Sequence, residues 1–259
     1  MPILNPYFRI WRPMLGYTDD LIFDDDLNPS EDTRLEYLDD DNYFPQREIV
    51  SILTTAHLIM RDIYDCYNYV EPSDNNLKVY SHRFYELLLR ICTEFESNCK
   101  GILKANGYNK ESYSIDKDYF KINNACLLNE YKVIYPRWES DHTFLPFESW
   151  SNSTYKPLQW YKDYNSVKHN RFSEFNKASF ENVINAFAGL LCIIHAQVGR
   201  KVERACFNGE TINIQKGEAK VSTDSFIIIP PDFNDDMKYN FKWEEIKKNS
   251  GSVDKFLFN

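Results

Sequence analysis

Leu158-Gln-Trp160-Tyr161-Lys-Asp-Tyr164-Asn165-Ser-Val167-Lys168-His169-Asn-Arg171 is the stretch whose reading decides the fold, and Ala178 to Gly199 follows soon after. Trp160, Tyr161, Tyr164, Val167 and Lys168 recur at the steps that set side chains on one face of a helix. Pro157 suits the first turn, since its φ is fixed and it has no N–H to satisfy. In the next segment Phe180, Val183, Ile184, Phe187, Leu190, Leu191, Ile194 and Val198 form a strong apolar stripe. Ala186, Ala188 and Gly189 allow a neighbouring helix to approach closely, and Gly199 stops the helix. A mainly α protein is predicted.

Upstream, Gln46 to Tyr69 carries a core-facing stripe through Ile49, Ile52, Leu53, His57, Met60, Ile63, Tyr64 and Tyr67, broken by Pro72. A second stripe, from about Leu77 to Asn106, uses Phe84, Leu87, Leu88, Ile91, Phe95, Cys99 and Leu103 and ends before Gly107. The two read as an antiparallel helical hairpin. Asp118 to Leu128 suits a short helix, and Glu130 to Tyr135 alternates like a strand. Pro136, Trp138, Pro146, Phe147 and Trp150 suggest an aromatic loop packed on the bundle.

Beyond Arg204 the period changes to two. Asn208-Gly209 reads as a hairpin turn between Ala205–Phe207 and Thr211–Ile214, with further strands at Phe226–Ile229 and Met237–Trp243. At the other end, acidic clusters at Asp19-Asp20, Asp24 to Asp26 and Asp39 to Asp41 alternate with aromatics and prolines. That pattern predicts an extended arm pinned by Tyr7, Phe8, Trp11 and Phe23. The expected organisation is an arm over residues 1–45, a helical bundle over 46–202 and a small antiparallel β appendage over 203–259.

Composition narrows the function classes. With 259 residues, 43% hydrophobic and 16% aromatic, the chain can bury a sizeable core. Lys and Arg total 30 against 39 Asp and Glu, a formal charge of −9 that argues against a general nucleic-acid coat. A small basic cleft remains compatible with it. The six cysteines are scattered and read as reduced thiols of a cytoplasmic protein. No signal peptide and no membrane-spanning stretch is expected, Phe187 to Ile194 being too short. Glycine-rich phosphate loops and metal-hydrolase signatures do not occur, so no cofactor and no metal site are expected. His57 and His195 read as packing histidines, and His82 and His142 show no obvious partner.

His169 differs because of its neighbours. As a helix C-terminal residue it suits the macrodipole, as do Lys168 and Arg171. In a catalytic reading its imidazole is the general acid/base. Lys168 and Arg171 then stabilise charge on a phosphate, and Asn165, one turn earlier on the same side, positions it. Tyr164 and Trp160 are candidate substrate contacts. Glu94, beside the stripe of the second helix, reads as a structural ion-pair partner or as a group reaching the site across the bundle.

Asn165-Ser-Val-Lys-His169, at the junction of the last two bundle helices, resembles the HEPN superfamily of helical bundles, whose usual motif is arginine, often then asparagine, then a spaced histidine. The convincing resemblance covers about residues 156–199. It implies a HEPN-like antiparallel bundle and a metal-independent endoribonuclease site shared by two protomers. His169 matches the family histidine and Asn165 the asparagine, but the arginine position falls on Tyr164. Either Lys168 or Arg171 supplies that cation, or catalysis is lost and a binding role kept. The resemblance implies RNA as substrate, a homodimer, and a toxin–antitoxin or phage-defence setting with an antitoxin or other partner protein. The alternative is a non-catalytic interaction module binding a protein or nucleotide.

Overall fold

Where apolar periodicity is sustained, it becomes helix. The computed structural model describes residues 2–16, 41, 43–135, 138, 142–151, 154–199, 201–202, 214–215, 218–219, 226–248 and 253–259. In chain order these form α1 (Gln46–Cys66), α2 (His82–Ala105), α3 (Ile122–Cys126), β1 (Lys132–Ile134), β2 (Thr143–Phe144), α4 (Gln159–His169), α5 (Arg171–Glu174), α6 (Phe180–Val198), β3 (Ile214–Gln215), β4 (Glu218–Ala219), β5 (Ile227–Ile229) and α7 (Trp243–Lys248). The described chain is mainly helical, with a small three-stranded antiparallel sheet.

Helix α6 lies at the centre. Only Glu181 and Asn185 escape burial along it, because its apolar residues leave no polar face for water. It packs against α1, α2, α4 and the sheet. On length and composition it could cross a membrane, contrary to the expectation that no stretch is long enough, but 89% of its most apolar window is covered by protein. Ser179 caps its start by accepting from the Asn182 amide. Ser81 caps α2 in the same way, through Phe84, which is why α2 begins at His82 and not near Leu77. Asp62, late in α1, pairs with Arg83 and Arg90, early in α2, at 2.9 and 2.8 Å. That is the pairing of helices running in opposite senses.

The sheet has the order β2-β1-β5, with Val133 opposite both Phe144 and Ile228. The segment after residue 203 therefore supplies the strand that completes a sheet begun inside the bundle. Tyr135 stacks on Phe226 at 4.6 Å, and one continuous core runs from Ile10 to Phe258. The expected hairpin turn at Asn208-Gly209 lies outside the described residues, as do Phe23, Pro136 and Cys206. The described strand pair nearby is β3 with β4, Ile214 opposite Ala219. Met237–Trp243 does not form the strand expected of it. Asn234 caps a 3-10 turn over Asp235–Met237, and Trp243 opens α7. Glu244 and Glu245 lead α7 and Lys247 and Lys248 end it, which complements its dipole.

The arm over residues 2–16 crosses this core and ties the two ends of the chain together. Ile3 and Met14 bridge Tyr239, Tyr7 bridges Asp254, and the Tyr239 hydroxyl donates to the Ile10 carbonyl at 2.7 Å. Trp11 donates its amide to the Ala196 carbonyl at 2.8 Å, and its ring meets His195 edge-on. Gly199 ends α6 at φ +56°, where a Cβ would stand 2.6 Å from the Trp11 indole nitrogen. Arg9 is buried over the Phe44 ring, donating to Gln197 and Glu48.

Candidate functional site

Helix α4 divides its residues between core and surface. Trp160, Tyr161, Asp163, Tyr164 and Val167 are buried, whereas Lys168, His169, Asn170 and Arg171 are exposed. Trp160 donates its indole N–H to the Pro146 carbonyl at 2.9 Å, and its ring fills the space a Cβ on Gly189 would need. The small residue in α6 thus admits α4. Trp160 and Tyr164, at 3% and 1% exposure, are core residues with no surface to offer a substrate.

Tyr164 belongs to a polar chain between α4 and α2. Its hydroxyl donates to Glu96 Oε1 at 3.3 Å and accepts from Lys168 Nζ at 3.0 Å. Tyr161 donates to the same Glu96 oxygen at 3.0 Å, and Lys100 lies 3.4 Å from the other. Burial pushes the Tyr164 hydroxyl up, against the bond from Lys168, while that same bond raises the Lys168 ammonium. Tyr164 therefore stays a neutral phenol and Lys168 stays charged and turned inward.

His169 and Arg171 remain outside. His169 is the last residue of α4 and makes no side-chain hydrogen bond or ion pair among the described residues. Asn165 is half-buried one turn earlier. The break at Asn170, with φ −141° and ψ 62°, ends α4 and starts α5. There the Arg171 guanidinium lies 4.9 Å from the Tyr85 ring centre and 5.6 Å from that of Phe175. Its Nη2 donates to His82 Nδ1 at 3.1 Å. A guanidinium cannot accept, so Nδ1 is the acceptor and a neutral His82 carries its proton on Nε2. Phe172 beside it is fully exposed.

Sequence reasoning found no partner for His82; Glu96, read beside Glu94 as a structural ion-pair residue, does pair with Lys100 one turn on, but its bonds to α4 were not foreseen. Those partners across the fold lie 89 and 65 or more residues away, and no local spacing announces them. His142 also has a partner, Asp74 at 3.2 Å. Glu94 does not join His169. Successive helical residues turn by about 100°, so Glu96 facing α4 turns Glu94 away. It lines a cleft of about 800 Å³ with Arg9, Glu48 and Lys104, where burial raises its carboxyl against the pull of Arg90. Among the described residues no three His, Cys, Asp or Glu side chains gather as a metal site would need. No family model, curated protein or solved structure matches the chain.

Proposed function

We propose that the α4–α5 junction is an RNA-cleaving site of the metal-independent kind, assembled when two protomers bring their junctions together. The observation that carries this reading is the exposed His169 two residues from a guanidinium held by His82, Tyr85 and Phe175. Cleavage by the neighbouring 2′-hydroxyl needs a base to take its proton, an acid to protonate the leaving 5′-oxygen, and donors for the charged phosphorane. His169 from each protomer serves as base and acid. Arg171 supplies the cation that Tyr164 does not, its planar fork already held against two rings. The His82 Nε2–H and the half-buried Asn165 contact phosphate oxygens. Lys168, turned onto Tyr164, raises the local potential. Phe172 offers the apolar contact for an isologous dimer, in which the same patch serves both partners.

A second reading rests on a specific observation: Tyr164, at the position of the superfamily's arginine, is buried and holds Lys168. In that reading the junction binds a protein or nucleotide without cleaving. The experiment is incubation of a mixed RNA pool in EDTA with wild type, His169→Ala and Arg171→Ala, with sedimentation of each. The expected result is cleavage by a dimer, reduced about 100-fold or more by either substitution. Binding of RNA without cleavage transfers the site to the second reading, and a monomer that neither binds nor cleaves overturns the first.

A further inference from the structure

The cleft of about 800 Å³ that Glu94 lines lies between the first turns of α1 and the second half of α2. Its size is that of a small-ligand site. Arg9, reaching in from the arm, is part of its wall, with a side chain only 10% exposed. The guanidinium fills the notch left by Gly101, where a Cβ would stand 2.6 Å from its central carbon. Nε donates to Gln197 and Nη1 to Glu48, but Nη2 bonds no described residue and keeps surface open to solvent. Of the five donors a guanidinium carries, some are therefore left for a ligand. Lys104, one turn beyond Gly101 on the same face of α2, is exposed and makes no ion pair among the described residues.

The charges around the cleft say what fits it. Glu94 is half-buried, and its carboxylate oxygens are reachable yet make no hydrogen bond or ion pair among the described residues. Arg90, the cation that pulls on it, is bonded to Asp62 at 2.8 Å, and burial outweighs that pull. The remaining charges are taken: Glu48 by Arg9 at 2.9 Å, Lys100 by Glu96 at 3.4 Å, and Asp41 by the Gln46 amide at 2.7 Å. One end of the cleft thus holds an unpaired carboxylate, and the other an unpaired ammonium beside a guanidinium with donors to spare. A simple anion would meet Glu94 and Glu48, and a simple cation would meet Arg9 and Lys104. A zwitterion complements both ends. Glu94 and Gly101 are seven residues apart, close to two turns, so they share a face about 10 Å apart. Two charge-assisted bonds of about 2.8 Å each leave roughly 5 Å between the charges of the ligand. An α-amino acid, with a single carbon between its charged groups, is too short.

We propose that this cleft binds a short linear zwitterion of the ω-amino acid class. Its carboxylate takes Arg9 Nη2 and the Lys104 ammonium, its own ammonium bonds Glu94, and its carbon chain lies between α1 and α2 beside Ile52. The site is independent of the His169 junction, so its fate does not depend on RNA cleavage.

The probe is 4-aminobutyrate, titrated calorimetrically against the protein, with butyrate and butylamine as analogues that each lack one charge. Wild type is expected to bind one 4-aminobutyrate with a dissociation constant on the order of 1 mM, and each analogue about tenfold more weakly or not at all. Glu94→Gln and Lys104→Met, neither at a fully buried position, are each expected to weaken binding about tenfold, the loss of one charge-assisted contact. Circular dichroism checks that both variants keep the fold. Glu94→Gln should cost butyrate nothing, and Lys104→Met should cost butylamine nothing, which separates loss of a contact from damage to the cleft. Absence of saturable 4-aminobutyrate binding by wild type, equal binding of either analogue, or unchanged affinity in either variant overturns the proposal.

Discussion

Gly199→Ala tests how the arm is locked to the central helix. At φ +56° and ψ −144° the backbone lies in a region essentially reserved for glycine, which costs an L side chain about 1–3 kcal/mol. The new Cβ would also lie 2.6, 2.8 and 2.9 Å from three atoms of the Trp11 indole. Ordinary carbon contacts lie at about 3.5–4.0 Å, so the ring must retreat by roughly 1 Å. It has little room to do so. Trp11 is 3% exposed, its ring meets His195 at 4.9 Å, and its amide is bonded to the Ala196 carbonyl. Overpacking of this kind costs about 1–3 kcal/mol. The sum is about 2–6 kcal/mol, a large share of a domain's stability.

Gly107→Ala is the comparison. Its φ is +83°, but the nearest atom, on Lys255, would be 3.6 Å from the new Cβ, an ordinary contact. It should lose only the strain, about 1–2 kcal/mol. Urea unfolding of both variants should show the larger loss at Gly199, where the indole contact adds to the backbone strain. Adding Trp11→Leu should recover part of the Gly199→Ala loss, because the two positions are coupled. If Gly199→Ala and Gly107→Ala agree within about 0.5 kcal/mol, the packing of Trp11 against this turn is not what holds the arm.

Two further outcomes follow from hydrogen bonds already described or from a buried carboxylate. Tyr164→Phe removes a donor to Glu96 and an acceptor for Lys168 while Tyr161 keeps its own bond, so thermal or urea unfolding should show a loss of about 1 kcal/mol; no loss would mean that the α4–α2 chain is ornamental. Burial alone would raise the Asp118 carboxyl, but bonds from Lys110, the Ser114 amide and Tyr108 outweigh it and hold it below the ordinary carboxylate range. A depressed folded pKa gives stability that is present above the unfolded value, near about 4, and is lost as pH falls through the folded one. Asp118→Asn should therefore flatten the stability profile below about pH 4, as read by denaturant midpoints across pH; an acid limb as steep as wild type would contradict this.

Much of the helical frame could be read from residue spacing. The stripes of α1, α2 and α6 span several turns each, and a pattern that long survives whatever surrounds it. The strands were harder because they are two or three residues long and pair across large separations. Lys132 faces Ile229, and nothing local to either announces the other. Tyr239, Phe241 and Trp243 alternate as a strand would, yet Tyr239 spends its backbone on bridges to the arm and Trp243 starts a helix. At the candidate site, the sequence picked out His169 and Arg171 from their company alone. It could not tell which aromatic residues of α4 face inward, because Trp160, Tyr161 and Tyr164 all lie on the face that α2 and α6 cover. The pairing of His82 with Arg171, and of Glu96 with Tyr161 and Tyr164, became visible only once α2 was laid beside α4 and α5.

The bridges between the arm and Tyr239 and Asp254 also set a timetable. During synthesis Ile3 is made long before Tyr239, and at about 5–20 residues per second the wait is on the order of ten to fifty seconds. Through that interval Ile10 and Met14, both buried in the finished protein, lack the Tyr239 contacts that complete their seat. Residues 2–16 are thus made well before the residues that seat them, and through that wait a nascent-chain chaperone has a claim on them.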